Sequence, residues 1–497
     1  MRKYIFTFVL LGSIIVPTHG QTLSLDSCRA LALRNNKSLG VARLRQNMAT
    51  YTAKAAKTKY LPKIDVLGGY EYTSKEISLL NNTQKNALSN FGTNIGSQMG
   101  GDISSVLGNL VQQGVFTQDQ ATQIGSVLNK AGASFGTALN QVGQKIVDAF
   151  RTDTRNIFAG SVTLRQPIYM GGSIIAANKI ANIGEEMASN STDATTQTIL
   201  YNIDQTYWTV VSLNHKQKLA NQFLELVKKL SDDVHKMINQ GVATKADGLR
   251  VDVKVNEAEM TVTQAENGLS LAKMLLCQQC GLPLDANVTL LDENTSNIVS
   301  KDETPSADVN IAIDNRPELK LLQNLVDVSR QSTKIVRAAY LPQVALTGGY
   351  MFSNPNVYNG YQNKFSGVWN VGVVVRIPLW NWFEGEYKVK ASKVTTSIAN
   401  LELTDAQEKM QLQVQQNSFK IKEAKKRLAM SQKNVENANE NLRCANLGFK
   451  EGVLQTTEVM EAQTAWLTAQ TQKIDAEIDL NMSQIGLRKA MGILREK

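Results

Sequence analysis

The sequence predicts a mainly α-helical protein with a membrane β-barrel, in which one unit of helix, strand pair and long helical hairpin occurs twice. Three observations predict this fold: an internal repeat, two long segments without proline, and four short segments in which apolar and polar residues alternate. Four strands cannot close a barrel, since known barrels begin at about eight strands. Several chains must therefore complete it. Strand number alone does not separate two chains from three, and three chains would give twelve strands.

The N-terminus has the composition of a secretory signal. Two basic residues precede an apolar run over 4–16, and small residues near position 20 offer a cleavage point. We predict that residues 1–20 are a signal peptide and that the mature chain begins at Gln21. The apolar run is too short to cross a bilayer as a helix, and no later stretch of about 20 apolar residues replaces it. The mature chain is therefore expected in the periplasm, outside the cell, or in the outer membrane as strands.

The chain repeats itself in two registers. The segment YLPKIDVLGGY, Tyr60–Tyr70, recurs as YLPQVALTGGY, Tyr340–Tyr350, at an offset of 280. Further matches recur at an offset of 211, among them Arg165 with Arg376, Pro167 with Pro378, Gly241 with Gly452, and Gly281 with Gly492. These matches predict a tandem duplication whose parts are a first repeat over 21–286, an inter-repeat linker over 287–314, and a second repeat over 315–497. Because the offsets differ by 69 residues, the first copy contains an insertion, placed at 74–156 between two strands.

Prolines mark the expected joints between elements. Pro62 and Pro342 stand where a helix would pass into a strand, and Pro167 and Pro378 where a strand would pass into a helix. A helix over 172–239, which contains no proline, would be roughly 100 Å long at 1.5 Å per residue. That length is typical of coiled coils.

The long segment of the second copy has a heptad pattern. Apolar and small residues follow one another by steps of three and four, at Ile421, Ala424, Leu428, Ser431, Val435, Ala438, Leu442, Ala445 and Phe449. Small residues occupy every d position, so neighbouring helices can approach closely. This packing suits a wall of many helices better than a two-stranded rod.

The predicted strands alternate with a period of two. Each has one apolar face that ends in aromatic residues, opposite a polar face, which is typical of barrel strands between lipid and water. An unpaired edge in hydrocarbon leaves polar groups unsatisfied, so the sheet must close. The aromatic residues that we predict to face the outer-membrane lipid are Tyr70, Tyr72, Tyr350, Phe352 and Trp369.

The residues that carry enzyme chemistry form no recognisable set. His215 and His235 stand in predicted long helices without a metal-binding motif, and neither a phosphate loop nor a nucleophile elbow is present. Cys277 and Cys280 form a CxxC without a redox-type setting, which favours packing. The net charge of +9 is spread along helices that also carry acidic residues, which favours solvated faces over nucleic-acid binding. We predict no enzyme, with no catalytic, cofactor-binding or metal-binding residues.

Several motifs together resemble the TolC-type outer membrane efflux proteins. They are the two YLP joints, the glycine turns in INQGVATKAD and FKEGVLQTTEVMEA, and the GLPLD that closes the first copy. The resemblance covers essentially the whole mature chain. It implies a homotrimer in the outer membrane whose helical tunnel extends into the periplasm, docked on a periplasmic adaptor and an inner-membrane pump of the RND or ABC type. It also implies that the linker forms a belt around the tunnel and that the insertion lies outside the cell.

The resemblance places the periplasmic tips of the tunnel at the two glycine turns. The residues that would contact the adaptor are Gly241, Val242, Ala243 and Thr244 in the first copy and Gly452, Val453, Leu454 and Gln455 in the second. The carboxylates that would line the entrance are Asp247, Glu458 and Glu461. Glu458 and Glu461 lie three residues apart, hence on one helix face, and symmetry would multiply them into a cation-favouring ring.

Alternative interpretations remain open from the sequence. The same carboxylates could support the first turn of a helix, where the helix dipole favours negative charge. Some family members close the entrance with a basic residue soon after the second glycine, where this chain has Leu454 and Gln455.

The polar insertion has apolar residues at loose helical spacing around 103–111, which favours a partly helical cap over a mobile loop. A periplasmic adaptor or a secreted coiled-coil structural protein would also share the signal and the helical segments.

Overall fold

The computed structural model describes residues 21–75, 80–90, 92, 118–119, 135–150, 155–295, 298–299, 306–356, 358 and 362–494. The predicted signal peptide and the apolar residues around 103–111 lie outside this set. Within the described part of the insertion, two helices are present and hydrogen-bond to each other, with Ser89 Oγ 3.0 Å from Gln144 Oε1.

The helices of the first half include one very long helix, α5. They are α1 Leu25–Asn35, α2 Lys37–Lys57, α3 Asn82–Ser89, α4 Phe135–Ala149, α5 Ser173–Asn239 and α6 Lys245–Cys280. The second half contains α7 Val309–Asn315, α8 Pro317–Ala338, α9 Glu384–Lys450 and α10 Thr456–Ala490. Within the described residues, no helix combines the length and the apolar character that crossing a membrane requires.

The strands belong to two sheets. They are β1 Gln21–Leu23, β2 Lys63–Tyr72, β3 Asn156–Met170, β4 Val288–Leu290, β5 Gln343–Asn354 and β6 Ser366–Arg376. β1 and β4 form a short parallel pair, so the residues at the predicted start of the mature chain are bound to the predicted linker. The other four strands form an antiparallel sheet in the order β2-β3-β5-β6. The same order of helix, two strands and helical hairpin thus occurs in both halves.

Two compact units divide the chain. The helical unit consists of Met1–Ala56, Ile175–Arg337 and Phe383–Lys497, and the sheet unit consists of Lys57–Ile174 and Ala338–Trp382. Each unit takes residues from both sequence repeats. The sequence repeats therefore do not coincide with the compact units. The helical unit contains the helical hairpins of both repeats, and the sheet unit contains the strand pairs of both.

Polar contacts give the side-by-side order of the helices in the helical unit. In its C-terminal part α5 lies between α6 and α10, with α9 beyond α10. The contacts are Lys228–Glu259 at 2.7 Å for α5–α6, Lys216–Asp475 at 2.6 Å for α5–α10, and Arg427–Asp479 at 2.7 Å for α9–α10.

The N-terminal part of α5 has a corresponding arrangement. It lies between α2 and α8, with α9 beyond α8, through the contacts Thr50–Glu185 at 2.8 Å, Asn190–Asn324 at 2.8 Å and Thr333–Ser392 at 2.8 Å. The edge helices of the unit are thus α2 and α6 on one side and α9 on the other.

The predicted heptad seam of α9 is buried or half-buried along its length. Ile421, Ala424 and Ser431 have 4% of their surface exposed, and Phe449 has 8%. The seam faces α10, the partner with which α9 makes its most extensive contacts. Alternating small and large residues therefore pack the second hairpin, as the sequence predicts.

One predicted joint is wrong. The sequence predicts that a strand passes into a helix at Pro167, but β3 continues past this residue to Met170. The pairing of β3 with β5 shifts register between Pro167 and Tyr169. Because proline has no N–H to donate, a bulge is one of the few places where a paired strand accepts it.

The turns between the sheet and the long hairpins use left-handed backbone in both copies. Gly171 and Gly172 have φ values of +62° and +85° before α5. At an offset of 211, Trp382 and Phe383 have φ values of +51° and +62° before α9. Bulky residues rarely adopt this conformation, so the second copy retains the turn at a steric cost that the first copy avoids with glycine.

Candidate functional site: hairpin tips and sheet face

The tip of the first hairpin is a glycine-terminated turn. Gly241 has a φ of +77°, and its N–H donates to the Ile238 carbonyl at 3.0 Å. The N–H of Val242 donates to the Met237 carbonyl at 2.8 Å. These two hydrogen bonds form a Schellman motif, which satisfies the last carbonyl groups of α5. A Cβ on Gly241 would meet nothing within 4 Å, so the backbone angle alone requires glycine.

The second tip has the same construction. Gly452 has a φ of +72°, its N–H donates to the Phe449 carbonyl at 3.1 Å, and Val453 donates to the Gly448 carbonyl at 2.8 Å. The space around Gly452 is also open. The two tips lie side by side, because Val234 and Val251 of the first hairpin share an apolar cluster with Phe449 and Val459 of the second.

The side chains after each glycine divide into inward and outward groups. Ala243 packs against the shared cluster, and Leu454 packs against Leu442, Ala445 and Ala462. Thr244 and Gln455 are the residues from which α6 and α10 start. The outward apolar side chains are Val242, 69% exposed, and Val453, 77% exposed.

Two of the three predicted entrance carboxylates cap helices. Asp247 accepts a hydrogen bond from the Thr244 N–H at 3.1 Å and from the Thr244 hydroxyl at 2.6 Å. Glu458 Oε2 accepts one from the Gln455 N–H at 2.8 Å. The Thr244 hydroxyl stabilises the ionised carboxylate and lowers the pKa of Asp247 below its usual value. The helix-supporting role that the sequence left open is therefore present, and any gating role would act alongside it.

Glu461 differs from these two carboxylates. It is exposed, one turn beyond Glu458, and pairs with no described residue. The equivalent position of the first copy, at an offset of 211, holds Arg250, whose Nη1 lies 3.7 Å from Asp247 Oδ1. The negative charge at the tips is therefore concentrated on the second hairpin.

The strand register places the five predicted lipid-facing aromatics on one face. Tyr350 is directly opposite Trp369, and Tyr70 is directly opposite Phe158. Directly opposed residues of an antiparallel pair point to the same face. The other face carries charged and polar residues, among them Lys63, Asp65, Glu71, Arg165, Asn370 and Arg376. All five aromatics are exposed, from 37% for Phe352 to 74% for Trp369.

The histidines occupy different surroundings. His235 lies on the helix surface, with Nε2 3.5 Å from Asp252 Oδ2. His215 is half-buried, and desolvation lowers its pKa, so the ring is neutral at physiological pH. Within the described residues, no group of three or more histidine, cysteine, aspartate or glutamate side chains is arranged to hold a metal ion.

Sequence reasoning missed a second set of apolar stripes on the edge helices. They are exposed and lie at heptad-like spacing: Val41, Leu44, Met48 and Tyr51 on α2, Leu249, Val253 and Met260 on α6, and Val394, Ile398, Leu401, Leu412 and Phe419 on α9. On the middle helices, all of whose residues are described, α5 and α8 have one large exposed hydrophobic residue each and α10 has none. The spacing was visible in the sequence, but spacing does not show which stripe is packed within the chain.

The described chain combines long helical hairpins with a sheet that has one exposed apolar face. The family model described as outer membrane efflux protein matches residues 129–279 and 309–493. These segments cover more than half of the chain, and the chain belongs to the outer membrane efflux protein family. It is an outer-membrane transport protein, and the family is not one of enzymes.

Individual relatives agree with this assignment. The chain is 22% identical to the outer membrane protein TolC of Vibrio cholerae over 354 residues, which cover 69% of this chain and 78% of that protein. It is 20% identical over 387 residues to the toxin and drug export protein A of Aggregatibacter actinomycetemcomitans, covering 73% of this chain and 81% of that protein. The solved outer membrane channel CmeC of Campylobacter jejuni shares the fold, with a TM-score of 0.70 at 15% identity over 94% of this chain and 85% of that one.

Proposed function

We propose that three copies of this chain form the outer-membrane channel of a tripartite export system, which conducts substrates from a periplasmic adaptor and an inner-membrane pump to the exterior. The observation that carries the proposal is the placement of exposed apolar stripes on the edge helices. Family membership supports an efflux or secretion channel, and the features below support the finer assembly.

The edge stripes support lateral association of identical chains. On α9, Val394, Ile398 and Leu412 occupy heptad positions about opposite the buried seam that contains Ile421 and Ala424. A helix with two opposed apolar stripes is suited to packing between two layers of helices. Among the described residues, α9 packs against its own chain on one side, through α8 and α10. Because α9 lies at one edge of the unit and α2 and α6 at the other, contact between unlike edges is head-to-tail. Such contacts form a ring when the rotation from one copy to the next closes, and a channel requires this closure.

The sheet supports the same conclusion. β2 and β6 each have one neighbour in the described sheet, which leaves two strand edges open. An apolar sheet face in hydrocarbon requires both edges to be paired, since unsatisfied N–H and C=O groups there cost several kcal/mol each. Three copies, joined β6 to β2, would give a closed barrel of twelve strands with the aromatic face toward lipid and the charged face toward the lumen.

The hairpin tips are suited to adaptor docking. Val242 and Val453 are the outward apolar residues at the two turns, and Ala243 and Leu454 are directed inward. We therefore assign the main adaptor contact to the two valines, with the glycines setting the turns and Thr244 and Gln455 starting the next helices. Asp247, Glu458 and Glu461 would place acidic groups near the entrance, where a ring of carboxylates favours cations.

A deletion tests this function. Cells without the gene are expected to accumulate a fluorescent dye or toxic compound, or to lose secretion of a product, and the wild-type gene is expected to restore export. A complementing chain with Val242 and Val453 both replaced by aspartate should reach the outer membrane but restore less export. Unchanged export and tolerance after deletion, under conditions in which the protein is made, would contradict the proposal.

A further inference from the structure

Three of the four cysteines of the chain lie together in the core of the helical unit. Cys28 of α1 and Cys280 of α6 have no exposed surface, and Cys277 is 1% exposed. All three belong to one apolar cluster, whereas Cys444 is exposed on α9. The CxxC spacing suggests Cys277 and Cys280 as a pair. Cys280 nevertheless contacts Cys28, which lies at the other end of the first repeat.

The contact between Cys28 and Cys280 is fixed by its surroundings. The Cys280 thiol donates a hydrogen bond to the Cys28 carbonyl oxygen, with Sγ 3.7 Å from that oxygen. The Asn35 side chain of α1 donates to the Cys280 carbonyl at 3.2 Å. Gly281, with a φ of +72°, lets the end of α6 approach so closely that a Cβ there would be 2.5 Å from the Asn35 Cβ. The last turn of α6 and helix α1 are therefore held against each other at Cys28 and Cys280.

Cys277 has a different partner. Its Sγ lies 3.9 Å from the Ala286 carbonyl oxygen, in the segment that follows α6. Cys277 and Cys280 are three residues apart on one helix, whereas Cys28 and Cys280 face each other from two packed helices. Adjacent thiols on separate elements are the arrangement in which a disulfide restricts the unfolded chain.

We propose that Cys28 and Cys280 form a disulfide that fixes α1 to the end of α6 as the chain folds in the periplasm. The compartment follows from the outer-membrane location of the family, since exported proteins fold where disulfides form and persist. The bond closes the chain between residues 28 and 280, and it fixes the start of the mature chain next to the pairing of β1 with β4.

The chemistry needs an external oxidant, because the pair loses two electrons and two protons. The oxidant is the disulfide of an envelope dithiol–disulfide oxidoreductase. The Cys280 thiolate attacks one oxidant sulfur and expels the other as a thiolate, and the Cys28 thiolate then attacks the mixed disulfide, which releases the reduced dithiol. Both thiols are buried in the folded chain, so the exchange takes place before α1 packs on α6.

Counting free thiols tests the proposal. The full-length protein is purified from outer membranes without reductant, unfolded in denaturant, alkylated with N-ethylmaleimide and weighed by mass spectrometry. We expect two alkylated cysteines in the wild type, at Cys277 and Cys444, and one in Cys277→Ser. Peptide mapping should recover Cys28 linked to Cys280, and reduction before alkylation should make all four cysteines reactive.

Two results would overturn the proposal. Four alkylated cysteines in unreduced wild-type protein would show that the thiols only pack. Two in the wild type but three in Cys277→Ser would show that the bond includes Cys277 and does not join Cys28 to Cys280. Neither result bears on the channel, whose assembly and export activity are measured independently of the thiol count.

Discussion

Single residues at the hairpin tips determine the path of the backbone from one long helix to the next. Gly241 and Gly452 supply left-handed backbone in open space, and the residues three positions after Thr244 and Gln455 cap the following helices. The same few side chains therefore make each turn short and leave one valine exposed at its apex. Each of these roles can be separated by substitution.

Replacing Gly452 with valine should destabilise the second tip. A β-branched side chain at a φ of +72° costs roughly 1–2 kcal/mol, whereas asparagine tolerates this conformation well. Hydrogen exchange of the peptide spanning 448–458 should become faster in Gly452→Val and remain near wild type in Gly452→Asn. Equal exchange in all three proteins would contradict the assigned turn.

The stability of the first turn of α6 should depend on pH through Asp247. The folded-state pKa of this carboxyl is lowered, chiefly by the Thr244 hydroxyl. Its capping contribution is therefore complete above the ordinary aspartate pKa and is lost as the pH falls through the lowered folded value. Exchange at residues 244–250, corrected for the intrinsic pH dependence, should increase on acidification. Asp247→Asn should remove this added pH dependence, and a wild-type profile in that variant would argue against the assignment.

The buried ion pair between Arg29 and Asp204 should contribute far more to the free energy of unfolding than an exposed ion pair does. Arg29 donates two hydrogen bonds of 2.7 Å to Asp204, and the two side chains are 6% and 0% exposed. Asp204→Asn removes the buried partner of Arg29 and leaves it only the exposed Asp26, whose carboxylate lies 3.1 Å from Arg29 Nη1, with an expected loss of about 3 kcal/mol in unfolding free energy. The control Lys216→Gln breaks the more exposed pair with Asp475 and should cost at most about 1 kcal/mol. Urea unfolding in detergent measures both, and equal losses would contradict this difference.

The elements of the chain differ in how far the sequence predicts them. A helix over 172–239 was predicted and α5 spans Ser173–Asn239, because proline punctuation and long apolar periodicity are strong local signals. The alternation of the four long strands is equally local. The pairing of β1 with β4 was not predicted, since two three-residue strands separated by most of the first repeat leave no local pattern.

The sequence predicts only those parts of the candidate sites that depend on local residue types. The glycine turns follow from local residue types, but the inward direction of Leu454 depends on its packing against Leu442 and Ala445. The contact between Cys28 and Cys280 depends on how α1 packs on α6. Periodicity also shows two apolar stripes on α9 without showing which one the chain itself covers, and that choice is made by tertiary packing.

The exposed stripe of α9 should hold neighbouring copies together. Leu412 is 58% exposed and lies on this stripe, so Leu412→Lys is expected to place a charge in the interface and to shift the assembly from trimer toward monomer. Gln411→Lys adds the same charge one residue away, outside the stripe, and should leave the assembly intact. Size-exclusion chromatography with light scattering in mild detergent measures the difference. A Leu412→Lys protein that remains fully trimeric would argue against this edge as the interface.

At the scale of the whole molecule, one chain has two kinds of open edge. The four-stranded sheet ends at β2 and β6, and the helical unit ends in apolar stripes on α2, α6 and α9. In the proposed channel, identical neighbours cover both kinds of edge, which stay open within the described part of one chain. Because of the duplication, each chain supplies two equivalent hairpins and two equivalent strand pairs. Three chains would then supply all the helices and strands of the proposed channel.

The most direct test of this account is the mass of the intact assembly. Native mass spectrometry of the wild-type protein, extracted from outer membranes in mild detergent, should give a single species with three times the mass of the mature chain. A species with the mass of one chain, under conditions in which the protein remains folded, would contradict the requirement that neighbouring copies complete the sheet and the helical wall.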